Sequence, residues 1–226
     1  MDMDRFRLRQ AHDYCLRHSF YGLLLGTGLS AFLLAARIVR SEQTTHTLLI
    51  WNLFLAWVPY LASLWASSLY RRHPERPWLL LAPGAVWLAF FPNAPYMLTD
   101  LWDITLRTPV PFWYDVGLLS LFALTGLLLG VVSLRIMQRL VAAHAGRWLS
   151  WLFCLVVVGL SGLGIYLGRF LRWNSWDLVL HPDEVLADIV TRLASPMDHA
   201  QTFGFTLLYA AIVLVVYLTL ASRDPV

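Results

Sequence analysis

Lysine is absent, and all 17 basic residues are arginine. Codon bias in a GC-rich genome accounts for that, so no mechanism is read into it. Cysteine is nearly absent as well. Cys15 lies in the N-terminal tail and Cys154 inside an apolar run, a poor disulfide pair, and no cysteine spacing of the metal-binding kind occurs. Charge is scarce, at 14% of residues, where a soluble domain carries about a quarter. That shortage, with no long linker, argues against a separate soluble domain. There is no phosphate loop, no G-x-S-x-G and no nucleic-acid module. The net charge of +3 is accounted for by arginines in one set of loops and calls for no nucleic acid.

What is present is hydrophobic: 58% of the chain. The excess falls in runs of about 20 residues, the length that crosses a hydrocarbon layer as a helix. Six runs stand out, at 19–39, 47–69, 78–98, 113–134, 148–168 and 202–221. The first follows a basic tail, as a signal peptide would, but it is long for one and five more runs follow it. Trp and Tyr gather near the run ends, as at membrane interfaces. The expected fold is all-α: a polytopic bundle of six transmembrane helices, forming one membrane domain over 1–226, plus a short amphipathic outer helix.

Arginine placement gives an orientation. With the N-terminus inside, the inner segments hold Arg5, Arg7, Arg9, Arg17, Arg71, Arg72, Arg76, Arg135, Arg139, Arg147 and Arg223. The outer segments hold Arg37, Arg40, Arg107, Arg169, Arg172 and Arg192. Both termini are therefore expected in the cytoplasm. Two unusual segments, 90–103 ("FFPNAPYMLTDLWD") and 168–184 ("GRFLRWNSWDLVLHPDE"), follow the third and fifth runs and so share one side of the membrane in either orientation.

The first of these interrupts a span. From Trp78 to Phe91 a helix covers about 21 Å, too little to cross, so Pro92, Asn93, Ala94 and Pro95 fall within the outer part of the bilayer. Neither proline donates an N–H, and the carbonyls of Leu88 and Phe91 are expected to lose their helical partners. Free backbone groups survive at that depth only in protein or beside a wet cavity. Asn93 can supply donors and an acceptor there. Asp100 and Asp103 follow. They read either as ligand-binding carboxylates or as the N-cap and first turn of a short interfacial helix.

In the second segment a continuing helix would put Arg169, Trp173 and Asp177 on one face and let Arg172 stack on Trp176. Asn174 lies between. These residues either anchor the helix at the headgroups or join the polar site, with Arg169 or Arg172 pairing to Asp100 or Asp103. The ligand-binding candidates are thus Asn93, Asp100, Asp103, Arg169, Arg172, Asn174 and Asp177. Residues 182–194 read as an amphipathic helix with Pro182 at its first position. Leu186, Val190 and Leu193 form its apolar stripe, with Val185 and Ile189 beside it. Its acidic face, with Asp188 and Arg192 spaced to pair, suits a lid on the bundle or a plain connector better than adhesion to anionic lipid. Asp100, Asp103, His181 and Asp183, with Glu184, are weak metal candidates because their spacing matches no dedicated pattern. Asp115 either joins the cluster or marks the water boundary.

Glycines spaced four apart occur at Gly22 and Gly26, Gly126 and Gly130, and Gly164 and Gly168, and suit close helix packing. They can serve the bundle itself or a membrane-protein partner.

"FPNAPYMLTDL" and "GRFLRWNSWDL", with the spans ordered around them, resemble a family of bacterial multi-pass membrane proteins, domain of unknown function 1361. The resemblance implies an integral membrane protein of bacterial type, expected here in the inner membrane. It implies no activity, cofactor or catalytic residue. From the residues, the leading expectation is a polar outer pocket that binds or transports a small polar or lipid-like ligand. An intramembrane enzyme acting on a lipid or isoprenoid, and a non-catalytic assembly subunit, are the alternatives.

Overall fold

A computed structural model of the chain describes residues 19–104 and 109–221. Cys15, Arg5, Arg7, Arg9, Arg17, Arg107 and Arg223 lie outside the described residues. Helices α1 (Phe20–Ser41) and α2 (Leu48–Arg72) come first. A short 3₁₀ turn (Pro77–Leu80) leads into α3 (Leu81–Phe90), the single-turn α4 (Asn93–Tyr96) and a second 3₁₀ stretch (Met97–Asp103). Then follow α5 (Phe112–Ala145), α6 (Arg147–Phe170), α7 (Asp177–Leu180), α8 (Pro182–Ala194) and α9 (Ala200–Ala221). No strand occurs among the described residues. Six stretches are long and apolar enough to cross a membrane, with Pro77–Asp103 counted as one broken span. The protein is an all-α, polytopic membrane protein.

Hydrocarbon dictates this outcome. An apolar run in lipid must satisfy its own N–H and C=O groups, and a helix does so within one segment. α5 is the axis of the bundle, packed against α1, α2, α4, α6, α9 and the second 3₁₀ stretch. One core cluster joins α3, α5, α6 and α9 through Trp87, Leu134, Val157 and Tyr217. A second joins α1, α2 and α5 through Leu23, Leu53, Tyr60 and Phe122. A third, around Ile165, Phe205 and Tyr209, ties α6 to α9 and holds Ile189 of α8 against it.

α5 has 34 residues, about 51 Å of helix, and outruns the apolar stretch 113–134 that marks it in sequence. Residues 135–145 contain neither proline nor glycine, so nothing stops the helix before Gly146. That residue takes a φ of 85°, a backbone glycine adopts without a Cβ penalty.

Candidate functional site

The break in the third span is a rewinding of the chain. Phe91 N–H closes the last turn of α3 on Trp87 O at 2.8 Å. Pro92 then has no hydrogen to give the carbonyl of Leu88. The carbonyl of Phe91, expected to be free, accepts from Ala94 N–H at 3.2 Å, and that of Pro92 accepts from Tyr96 N–H at 3.0 Å. Asn93 Nδ2 donates to Phe90 O at 3.1 Å. Tighter turns and one side-chain amide thus take up most of what the prolines disturb. Because the chain keeps winding through Asp103, no new helix starts at Asp100 and it is not an N-cap. It sits buried inside the second 3₁₀ stretch and accepts from Asn52 Nδ2 at 3.2 Å.

The break lies close against α5 and α6, and glycines of those helices supply the room. A Cβ at Gly126 would lie 2.6 Å from the carbonyl oxygen of Ala94, and one at Gly130 3.2 Å from the Ala94 methyl. A Cβ at Gly164 would meet the Pro92 ring at 2.8 Å, and one at Gly168 the Tyr96 ring at 3.2 Å. These two glycine pairs hold the interrupted span between them, so their faces are covered by the chain itself. Gly22, by contrast, has nothing within 4 Å of a Cβ position.

The second segment folds over the break. α6 stops at Phe170, with the N–H groups of Leu171 and Trp173 both returning to Leu167 O, at 3.1 and 3.2 Å. Arg172 takes a left-handed φ of 61°. The helical spacing beyond 170 is lost, so Arg169, Trp173 and Asp177 do not share a helix face, nor is the Arg172–Trp176 stack set up by an i, i+4 register. The indole that receives a guanidinium is Trp102, with Arg169 Cζ 5.5 Å from its ring centre. Arg169 also donates to both oxygens of Asp103, at 2.8 and 3.5 Å. Asn93 Nδ2 donates to Ser175 Oγ at 2.7 Å, pinning the 171–176 loop to the break. Asp177 Oδ2 accepts from the Asn174 backbone at 2.7 Å. Segments about 80 residues apart in sequence thus meet at one end of the bundle.

α8 closes that end. Val185 is buried and Ile189 half-buried, while Leu186, Val190 and Leu193 are exposed. The packed edge is therefore the one beside the stripe the sequence suggests. Register is set by Asp188, which accepts from Trp173 Nε1 at 2.7 Å and from Arg192 at 3.0 Å. The indole N–H, with help from Arg192, holds the Asp188 carboxyl below its ordinary value of 3.8, against a smaller opposing effect of burial.

Between α2, the break, α6 and this cap lies a cavity of about 310 Å³. Its walls are mostly apolar, from Leu55, Phe91, Leu160, Leu163 and Leu167. Its polar lining comes from Asn52, Asn93, Asn174, Ser161 and Ser175, with Tyr96 and Trp173. Two of the residues expected from sequence, Asn93 and Asn174, line it. Asp100, Asp103, Arg169, Arg172 and Asp177 are not among its lining residues. The two carboxylates are held away from the wall. Asn52 stands between Asp100 and the cavity, and Asp103 is engaged by Arg169. Among the described residues no three His, Cys, Asp or Glu side chains gather to hold a metal. His181 lies 3.7 Å from Glu184 on an exposed turn.

A family model described as "Protein of unknown function (DUF1361)" matches residues 51–216. The chain belongs to this family. No curated protein and no solved structure matches it. In this family member the matched region contains the break, both glycine pairs and the cap, while α1 lies outside it.

Sequence reasoning missed three features. Arg37 and Asp115 form a buried ion pair, Nε to Oδ1 2.7 Å and Nη2 to Oδ2 3.2 Å, each 1% exposed. Arg37 Nη1 also donates to Thr45 at 3.1 Å. Read as a flanking residue of an outer loop, Arg37 gave no hint of this. Its place within the last turns of an apolar helix was the available signal. His46 lies nearby, and burial, then the Arg37 charge, holds it below its ordinary 6.5. Asn52 and Ser161 were also passed over, although each is a polar residue inside an apolar run. The Ser161 hydroxyl is buried, 1% exposed, without a hydrogen-bond partner.

Proposed function

We propose that the protein binds a lipid-like ligand in the cavity beneath α8, in a bacterial cytoplasmic membrane with this end of the bundle outside. The observation that carries the reading is the cavity's division into a mostly apolar wall and a small group of amides and hydroxyls. That is the usual make-up of a small-molecule site. Broken spans at membrane depth are a recurrent way of building such sites. Acid–base catalysis is less well supported, because a catalytic carboxylate must reach the ligand and neither Asp100 nor Asp103 lines the cavity. The arginine count supports the orientation, and the family resemblance supports the bacterial setting.

The test is native mass spectrometry of the chain purified in mild detergent after incubation with extracted bacterial lipid. The wild type is expected to carry a bound lipid mass. Ala89→Trp, which fills the cavity, is expected to lose it. Equal occupancy in the two proteins, or none in either, overturns the reading. For orientation, Asp103→Cys and Asp177→Cys are expected to react with an impermeant thiol reagent from outside the cell, and Arg72→Cys is not.

A further inference from the structure

The hydrogen-bonding state of the polar lining specifies a head group, and this step rests on the binding reading above. Asn93 has two amide hydrogens, and both are spent, one on Phe90 O and one on Ser175 Oγ. Asn52 lies with Nδ2 3.2 Å from an Asp100 oxygen. A carboxylate only accepts, so the amide turns its nitrogen that way. Asn174 Nδ2 is 3.3 Å from Asp177 Oδ2. Each of the three side-chain amides that line the cavity has therefore turned its nitrogen toward the protein, with one N–H of Asn52 left over. Their carbonyl oxygens remain as acceptors. Ser161 adds a buried hydroxyl without a partner, able to give or take. No arginine, aspartate, glutamate or histidine is in the lining.

From these groups we infer that the cavity takes a neutral, hydroxyl-bearing, single-chain amphiphile that enters from the bilayer. An anionic head would face amide oxygens with no cation to meet it. An ammonium would shed its water into a mostly apolar space with no carboxylate on the wall. A hydroxyl donates to an Asn oxygen and accepts from Ser161, so both sides are satisfied. The volume holds about ten non-hydrogen atoms at about 30 Å³ each, room for one chain segment and a small head. Leu88 and Leu160 line the cavity and are also exposed on the bundle surface. They mark a sideways opening through which the rest of a longer chain runs into lipid.

The test uses the full chain in lipid nanodiscs, which avoids detergents with sugar heads. Four ten-carbon probes are compared: 1-decanol, decanoate at pH 8, decylammonium and decane. Binding is read as the rise in thermal-unfolding midpoint relative to a cavity-filled protein, which corrects for partition into the membrane. Leu160→Trp, at the lipid-facing rim, is the second filled variant beside Ala89→Trp in case that one folds poorly. Decanol is expected to bind roughly ten-fold more tightly than decanoate or decylammonium. Ser161→Ala removes a hydroxyl that no protein group uses. It is expected to weaken decanol about five-fold and leave decane unchanged. If decanoate or decylammonium equals decanol, or Ser161→Ala leaves decanol untouched, the head-group inference fails while the cavity reading stands. If no probe, decane included, separates wild type from both filled variants, the cavity reading fails with it.

Discussion

Gly126→Ala adds one methyl group at the point where α5 lies against the broken span. The new Cβ would stand 2.6 Å from the Ala94 carbonyl oxygen and 2.7 Å from Met97 Sδ. Ordinary contact begins near 3.4 Å. The sulfur is the far end of a flexible side chain and can turn aside. The carbonyl is main chain, held between Pro92 and Pro95, and cannot. α5 and the break must then part by about 0.8 Å, and overpacking of this kind costs about 1–3 kcal/mol. For a chain of this length that is a fall of about 2–12 °C in melting midpoint. Gly159→Ala is the matched control, since nothing lies within 4 Å of a Cβ there, and it is expected to be neutral or slightly stabilising. Both proteins would be melted in the same nanodiscs, with intrinsic fluorescence as the probe. If the two melt together, the break does not lie against α5 as described, and the cavity whose wall it forms loses its support.

Removing Asp115 leaves the buried Arg37 charge without its carboxylate. Asp115→Leu is expected to cost about 3–5 kcal/mol, and the double variant Arg37→Met/Asp115→Leu to recover most of it, read by the same melts. Arg172→Gly relieves a left-handed backbone and is expected to stabilise by about 1 kcal/mol in the same melts. The Asp188 carboxyl has its folded value depressed. Its contribution to holding α8 is therefore fully present above the ordinary 3.8 and lost as pH falls through the lower folded value. Amide exchange in α8, read by mass spectrometry, is expected to rise below about pH 4 and not between pH 5 and 8. In Trp173→Phe, which lacks the indole N–H, the acid-induced rise should shrink, with exchange in α8 already faster at neutral pH.

The helices were legible because lipid leaves an apolar run little choice. The break at Pro92 was legible for the same reason, since two prolines so soon after Trp78 cannot belong to a complete span. That Arg169 or Arg172 would pair with Asp100 or Asp103 is one reading drawn from the cost of a lone arginine near hydrocarbon, and the pair that forms is Arg169 with Asp103. What failed was local. The 3₁₀ rescue of the Phe91 carbonyl depends on how far the chain can tighten between prolines, which α5 and α6 decide. The end of α6 turns on a left-handed Arg172, and arginine carries no signature for that conformation. The spacing of Gly126 and Gly130 predicts close approach without naming the neighbour, and here the neighbour is a kinked segment of the same chain. Asp100 looked like a ligand group because a sequence does not show that Asn52, 48 positions earlier, would stand in front of it.

The 27 residues from Pro77 to Asp103, drawn out as one straight α-helix, would be about 40 Å long, against hydrocarbon about 30 Å thick. The surplus is folded sideways into the bundle as a plug. Its carbonyls and ring edges occupy hollows that α5 and α6 left unfilled. Straightening this stretch would drive its far end into the headgroups and leave those hollows empty, so the plug and the hollows that receive it have to change together.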